Sequence, residues 1–174
     1  MSKIGIFYGP ELGSVEKVAR LIEEKIGADK VELIPVKKSD EKALEQFDKL
    51  IFGVSTIGKT NWDSEHKDTD WDVFTTTFDK ISWAGKKVAM YGLGDHLQYP
   101  QHFVDALGWM YERLEKTEAE VVGFCSTEGY DYEESVGIRN GQFLGLPVDE
   151  DNESDKTDMR VQNWINRLIN EFGY

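Results

Sequence analysis

Lys3-Ile4-Gly5-Ile6-Phe7-Tyr8-Gly9-Pro10-Glu11-Leu12-Gly13-Ser14 leads into Val15, Val18, Ala19, Ile22 and Ile26, and the fold turns on this stretch. Ile4 to Tyr8 is apolar and partly β-branched and stops at Gly9-Pro10, which reads as a buried strand and a turn. The five apolar residues that follow recur at helical spacing, with Glu16, Lys17, Glu23, Glu24 and Lys25 between them. Ser14 is the expected N-cap of this helix and Gly27 its end. A buried strand feeding an amphipathic helix opens a βα unit, so a parallel sheet wrapped by helices is expected.

The alternation continues outward. Residues 31–36 read as a second strand, 41–47 as a short helix and 49–54 as a third strand. Residues 55–70 are polar and without period, and read as a loop. A short helix is expected over 71–78 and a fourth strand over 87–91, with Gly92-Leu93-Gly94-Asp95 as its turn. Phe103, Ala106, Leu107, Met110, Tyr111 and Leu114 mark a long amphipathic helix. Residues 120–124 form a fifth strand. Val161, Trp164, Ile165, Leu168, Ile169 and Phe172 share a face of the closing helix. Between Cys125 and Asp151 the pattern breaks into short pieces around glycines, with one strand-like run over 142–148. Five strands suit an open doubly wound α/β sheet in a single domain over residues 1–174.

The totals agree. The chain has 174 residues, 40% apolar and 30% charged, enough for one buried core. Its longest apolar runs are strand-length, so no membrane span is expected. Met1-Ser2-Lys3 runs straight into a strand pattern without a leader, and a single cysteine, Cys125, excludes an internal disulfide and a thiolate metal cluster. A cytoplasmic location is the expectation. A net charge of −13 argues against nucleic acid and anionic membrane as partners. It serves either solubility alone or electrostatic docking onto proteins with basic surfaces, and so highly charged a chain is expected to be a monomer.

In an open α/β sheet the ligand sits beyond the carboxyl ends of the strands, where their order reverses. Residues 9–14, 55–70 and 92–99 converge there. The first of these loops joins a strand to a helix, so backbone N–H groups and the helix N-terminus are available to a phosphate. The other two carry Trp62 and Tyr99. One loop aromatic is more often a packing anchor than a ligand platform. Two beside a phosphate nest fit a flat ring, each contact contributing on the order of 1 kcal/mol.

Several strings carry a family resemblance across nearly the whole chain. Gly92-Leu93-Gly94-Asp95-His96-Leu97-Gln98-Tyr99 is similar to the Gly-Thr-Gly-Asp segment and downstream tyrosine of long-chain flavodoxins. Ser126-Thr127-Glu128-Gly129-Tyr130-Asp131-Tyr132 resembles their Ser-Thr-Asp-Gly-Tyr-Asp-Phe. Arg139 to Leu146 and Asp149-Glu150-Asp151-Asn152 with Ser154-Asp155 resemble the long-chain insertion. Flavodoxins themselves exemplify the ligand-position rule used above. The resemblance implies strand order 2-1-3-4-5 with the insertion in the last strand, FMN as prosthetic group, and low-potential one-electron transfer between reductases and acceptors. Tyr99 matches the tyrosine that stacks on the flavin, and Gly94 and Asp95 match the segment at its pyrimidine edge. Counting back from Asp70-Trp71 puts Trp62 at the inner stacking position; counting forward from the third strand puts Ile57 there. The implied cofactor-binding set is Gly9, Pro10, Glu11, Leu12, Gly13, Ser14, Val15, Ser55, Thr56, Ile57, Gly58, Trp62, Leu93, Gly94, Asp95, Tyr99 and His102.

The phosphate loop departs from the family. Where flavodoxins read Thr/Ser-x-Thr-Gly-x-Thr, this chain has Pro10, Leu12 and Val15 at the three hydroxyl positions and Glu11 between them. Each lost hydroxyl contact costs roughly 0.5–1.5 kcal/mol. Leu93 and Ser55-Thr56 are smaller departures. Three readings stand: FMN held through Ser14, Thr56, Lys59 or Thr60; a flavin without phosphate, or another planar molecule; or a cofactor-free binding module. None of His66, His96 and His102 pairs with Cys125 or a serine in a nucleophile motif; His66 and His96 lie on ligand-edge loops and are expected as exposed loop histidines, with proton donation the alternative. Cys125 is expected to be buried, and an enzymatic role is not expected.

Overall fold

The strand that opens the chain, β1 (Ile4–Tyr8), is buried at every position because it has a parallel neighbour on each side. In the computed structural model, which describes residues 2–55 and 69–174, those neighbours are β2 (Val31–Pro35) and β3 (Lys49–Ser55). The sheet continues through β4 (Lys87–Leu93) to β5 (Glu120–Val122), in the order β2-β1-β3-β4-β5 expected from the resemblance. Helices α1 (Ser14–Ile26), α2 (Glu41–Glu45), α3 (Asp70–Phe74), α4 (Asp105–Leu114) and α5 (Ser154–Phe172) cover it.

Several expected boundaries shift. Ser14 is the first helical residue of α1, and Gly13 precedes it as an extended residue without a side-chain cap. α2 stops at Glu45, two residues short of Phe47. The helix expected over 71–78 is the short α3 followed by a 3₁₀ segment, Thr75–Lys80. A reciprocal Thr69–Asp72 capping box starts α3. The long amphipathic helix begins at Asp105, after Phe103. Gly92 and Leu93 belong to β4 and not to its turn, because Tyr91, Gly92 and Leu93 pair with Leu146, Pro147 and Val148.

That pairing explains the broken region. The last strand is in two halves: β5 pairs with the start of β4 as a three-residue strand, and β9 (Leu146–Val148) with its end. The expected strand at 120–124 therefore stops at Val122, and the run at 142–148 splits in two. Gly123 turns the chain away with φ +81°, a left-handed conformation that suits glycine. α5 holds the exit: Trp164 Nε1 donates to Gly123 O at 2.8 Å, and Glu171 accepts from Gly123 N at 2.8 Å. The excursion forms a small antiparallel sheet of β6 (Cys125–Ser126), β7 (Ile138–Arg139) and β8 (Gln142–Phe143), in the order β6-β8-β7. Phe143 packs against Tyr130 and Tyr132 with ring centroids 5.3 and 5.4 Å apart. Among the described residues no helix is long and apolar enough to cross a membrane.

One buried tyrosine ties the sheet to the turn above it. Tyr91 is fully buried on β4, and its hydroxyl donates to Val15 O in the first turn of α1 at 2.8 Å. It passes over Gly53 on β3, where a Cβ would meet the Tyr91 hydroxyl at 2.1 Å. Only glycine fits under that ring.

Candidate functional site

A cleft of about 300 Å³ opens beyond the carboxyl ends of β1, β3 and β4. Its walls come from four places: Pro10, Gly13, Ser14 and Val15 at the β1–α1 turn; Ser55 at the end of β3; Leu93, Gly94, Asp95, Gln98 and Tyr99 after β4; and Glu150 and Asp151 after β9. A larger hollow, about 580 Å³, lies near the start of β4 between residues 75–83 and 113–118. It shares no residue with the first, and its Arg113 and Lys116 are offset by Asp79 and Glu118.

The β1–α1 turn is a backbone structure with few side-chain contacts. Gly9–Pro10 is a cis peptide, and Leu12 is 92% exposed at φ 65°. Glu11 turns away to Lys38, at 3.0 Å. The N–H groups of the first turn of any helix lack intrahelical acceptors, and Gly13 supplies no side-chain cap for those of α1.

The wall after β4 is dense. Gly94 N donates to Val148 O at 2.9 Å, joining the wall to β9. The Asp95 carboxylate accepts from Leu97 N at 3.1 Å, Gln98 N at 2.8 Å and Asn152 Nδ2 at 2.8 Å. Tyr99 N returns to Asp95 O at 2.9 Å, leaving the ring 42% exposed at the cleft. Behind this lies Asp149, fully buried. It accepts from His96 N and Asn152 N, each at 3.0 Å, and its Oδ2 also contacts His96 Nδ1. Burial alone would raise the Asp149 carboxyl, but the bonds from His96 and Asn152 outweigh it and hold it below the ordinary carboxylate value. Glu153 behaves alike: burial opposes its charge, and Lys156 and Arg160 overcome that and lower it. Asp151 goes the other way, raised by burial and by Asp95, Asp149 and Glu150.

His96, Asp149 and Glu153 have ligand atoms within 4.8 Å of one another. Glu153 already faces Lys156 and Arg160, and Asp149 is satisfied by His96 and Asn152, so the group is an ion-pair cluster. Its task is mechanical. Arg160 reaches on to Gly129 O at 2.9 Å and lies over the Tyr130 ring at 4.1 Å, fastening the insertion to α5.

The structure brings Pro10, Gly13, Ser14, Val15, Ser55, Leu93, Gly94, Asp95 and Tyr99 of the expected set to one cleft. Gly9, Glu11 and Leu12 belong to the same turn but do not line it. His102 stands apart, its Nδ1 2.9 Å from Asp105. Thr56, Ile57, Gly58 and Trp62, with Lys59, Thr60 and His66, lie outside the described residues. His96 is not the exposed histidine expected from the sequence, because Asp149 draws it inward to 13% side-chain exposure. Cys125 is buried as expected, and burial pushes its thiol up, leaving it a poor nucleophile. Gln98, Glu150 and Asp151 line the cleft without having been assigned to it. The acidic string 149–152 was visible as part of the insertion, but only the pairing of β9 with β4 delivers it to the ligand edge.

A family model described as Flavodoxin matches residues 6–164. A flavodoxin of Nostoc sp. is 39% identical over 171 residues, covering 98% of both chains. A flavodoxin of Buchnera aphidicola is 39% identical over 173 residues, covering 99% of this chain and 98% of that one. The crystal structure of Fusobacterium nucleatum flavodoxin bound to flavin mononucleotide superimposes with a TM-score of 0.85 at 32% identity, covering 98% of this chain and 99% of that one.

Proposed function

The chain belongs to the flavodoxin family, and on that footing we propose that it holds FMN in the cleft at the carboxyl ends of β1, β3 and β4 and carries single electrons between other proteins. The supporting observation is the cleft itself: an uncapped helix N-terminus on one side and a loop tyrosine on the other. The fold around it matches a flavodoxin whose crystal structure contains flavin mononucleotide. Flavodoxins are electron-transfer proteins, not enzymes, and no catalytic residue is assigned.

The bound flavin supplies one-electron chemistry, and the protein supplies position and field. Tyr99 would offer a flat face to the ring, and Gly94 and Asp95 would border its pyrimidine edge. The amides of residues 13–15 and the Ser14 hydroxyl face the phosphate end. Thr56, Ile57, Gly58 and Trp62 are proposed for the opposite wall. Asp95, Glu150 and Asp151 line the cleft, so negative charge added there meets carboxylates at close range. That field would lower the potential for a second electron on a bound flavin.

The net charge of −13 suits docking to basic surfaces on redox partners, an attraction that salt weakens. A cytoplasmic monomer fits this role. Stepwise reduction of the flavin-loaded protein under a controlled potential tests the assignment. Two separated one-electron steps, the second at low potential, are expected; one concerted two-electron step overturns the carrier role. A purified protein that is colourless and takes up no flavin leaves a binding module instead.

A further inference from the structure

Resting on the flavin-carrier reading, we infer that this cleft gives the flavin's phosphate little, so riboflavin binds nearly as well as FMN. The inference starts from Glu150. Its side chain is only 8% exposed, it lines the cleft beside Gly13, Ser14 and Val15, and one carboxylate oxygen lies 3.4 Å from Lys17 Nζ in the first turn of α1. The other oxygen, Oε2, is buried and has no hydrogen-bond partner among the described residues.

A buried carboxylate oxygen without a partner is costly and calls for a donor. A fully ionised phosphate has no donor to offer and adds repulsion between like charges. A hydroxyl, such as the one that ends an unphosphorylated ribityl chain, can donate to that oxygen. Acidic charge moreover already stands at this helix end, with Glu16 in the first turn and Glu150 beside Lys17.

The rest of the cleft points the same way. Among the described residues, every charged residue that lines it, Asp95, Glu150 and Asp151, is acidic. The nearby cations among the described residues are engaged, Lys17 with Glu150 and Lys38 with Glu11. The turn retains Ser14 as its one side-chain hydroxyl, where the family pattern places three others. The loop after β4, by contrast, is held by its own bonds to Asp95 and Asp149 and does not depend on the phosphate.

The test is a pair of titrations, FMN and riboflavin, each followed by quenching of flavin fluorescence on the same apoprotein. Dissociation constants within about fivefold of each other are expected, and a larger advantage for FMN overturns the inference while leaving the carrier assignment intact. Quenching by neither flavin overturns the carrier assignment itself. Glu150→Gln supplies a second readout. Replacing the orphaned acceptor with an amide that can donate should widen the FMN advantage severalfold, and an unchanged ratio would mean Glu150 has no part in selecting between the two ligands.

Discussion

The two walls of the cleft are built by different means. The wall after β4 is a closed hydrogen-bond system in which Asp95, His96, Asp149 and Asn152 satisfy one another and join the loop to β9. The β1–α1 turn opposite relies more on backbone shape: Leu12 is exposed, Glu11 reaches Lys38, and Tyr91 fastens the turn from below through Val15 O. A wall made by a network is over-determined, and removing one member propagates. A wall made by backbone tolerates changes of side chain, which is how the family's hydroxyls could be lost without losing the fold.

The largest effect should come from breaking the network at its buried centre. Asp149→Ala strips the acceptor from His96 N and Asn152 N, and should destabilise the protein by about 3 kcal/mol in urea unfolding, with loss of affinity for both flavins alike. A cost near zero would mean the two walls do not differ in the way described.

The same network should carry a pH signature. Asp149 and Glu153 are both held below the usual carboxylate range, so their contribution to stability is complete above about pH 5 and is lost as pH falls toward their depressed values. Asp151 works in the opposite sense: its raised value opposes stability at neutral pH, and that penalty lifts on acidification. Asp149→Asn should therefore flatten the loss of stability on the acid side. Parallel acid limbs in the two proteins would show that the Asp149 charge is not what stabilises the wall.

The contrast also separates what the sequence discloses from what it hides. The sheet and its helices follow from local periodicity, and the turn at Gly9 to Val15 is read directly because its residues are consecutive. The acidic wall is hidden for a physical reason. Asp149 and His96 are 53 residues apart and meet only because the last strand is interrupted and resumes at Leu146. Gly145 punctuates the run over 142–148, but nothing local says that the chain will leave the sheet before it and rejoin after it. The Ser14 cap fails on a smaller scale: a hydroxyl beside a helix start suits either the cap or the first turn, and here it is Gly13 that stays extended.

A smaller effect is expected where the two walls meet the sheet. Tyr91→Phe removes the hydroxyl that holds Val15 O, a carbonyl that can still accept from within α1, so the expected loss is about 1 kcal/mol. The denaturant midpoint should fall with its slope unchanged. A loss as large as that of Asp149→Ala would mean the turn is held by this one bond and not by its backbone.

The smallest effect belongs to the tip of the turn. Leu12 sits at φ 65° with 92% of its surface exposed, so it packs against almost nothing and carries a left-handed conformation that costs a non-glycine residue about 1 kcal/mol. Leu12→Gly removes that strain but adds unfolded-chain entropy of nearly the same size, about 0.5–1 kcal/mol. The two should cancel to within about 0.5 kcal/mol, and both flavins should bind as before. A marked loss of stability would place Leu12 in a contact, and the turn would then depend on its side chains after all. A neutral result alongside a severe Asp149→Ala would fix the difference between the walls at its two extremes, one residue whose removal is felt throughout and one whose identity scarcely matters.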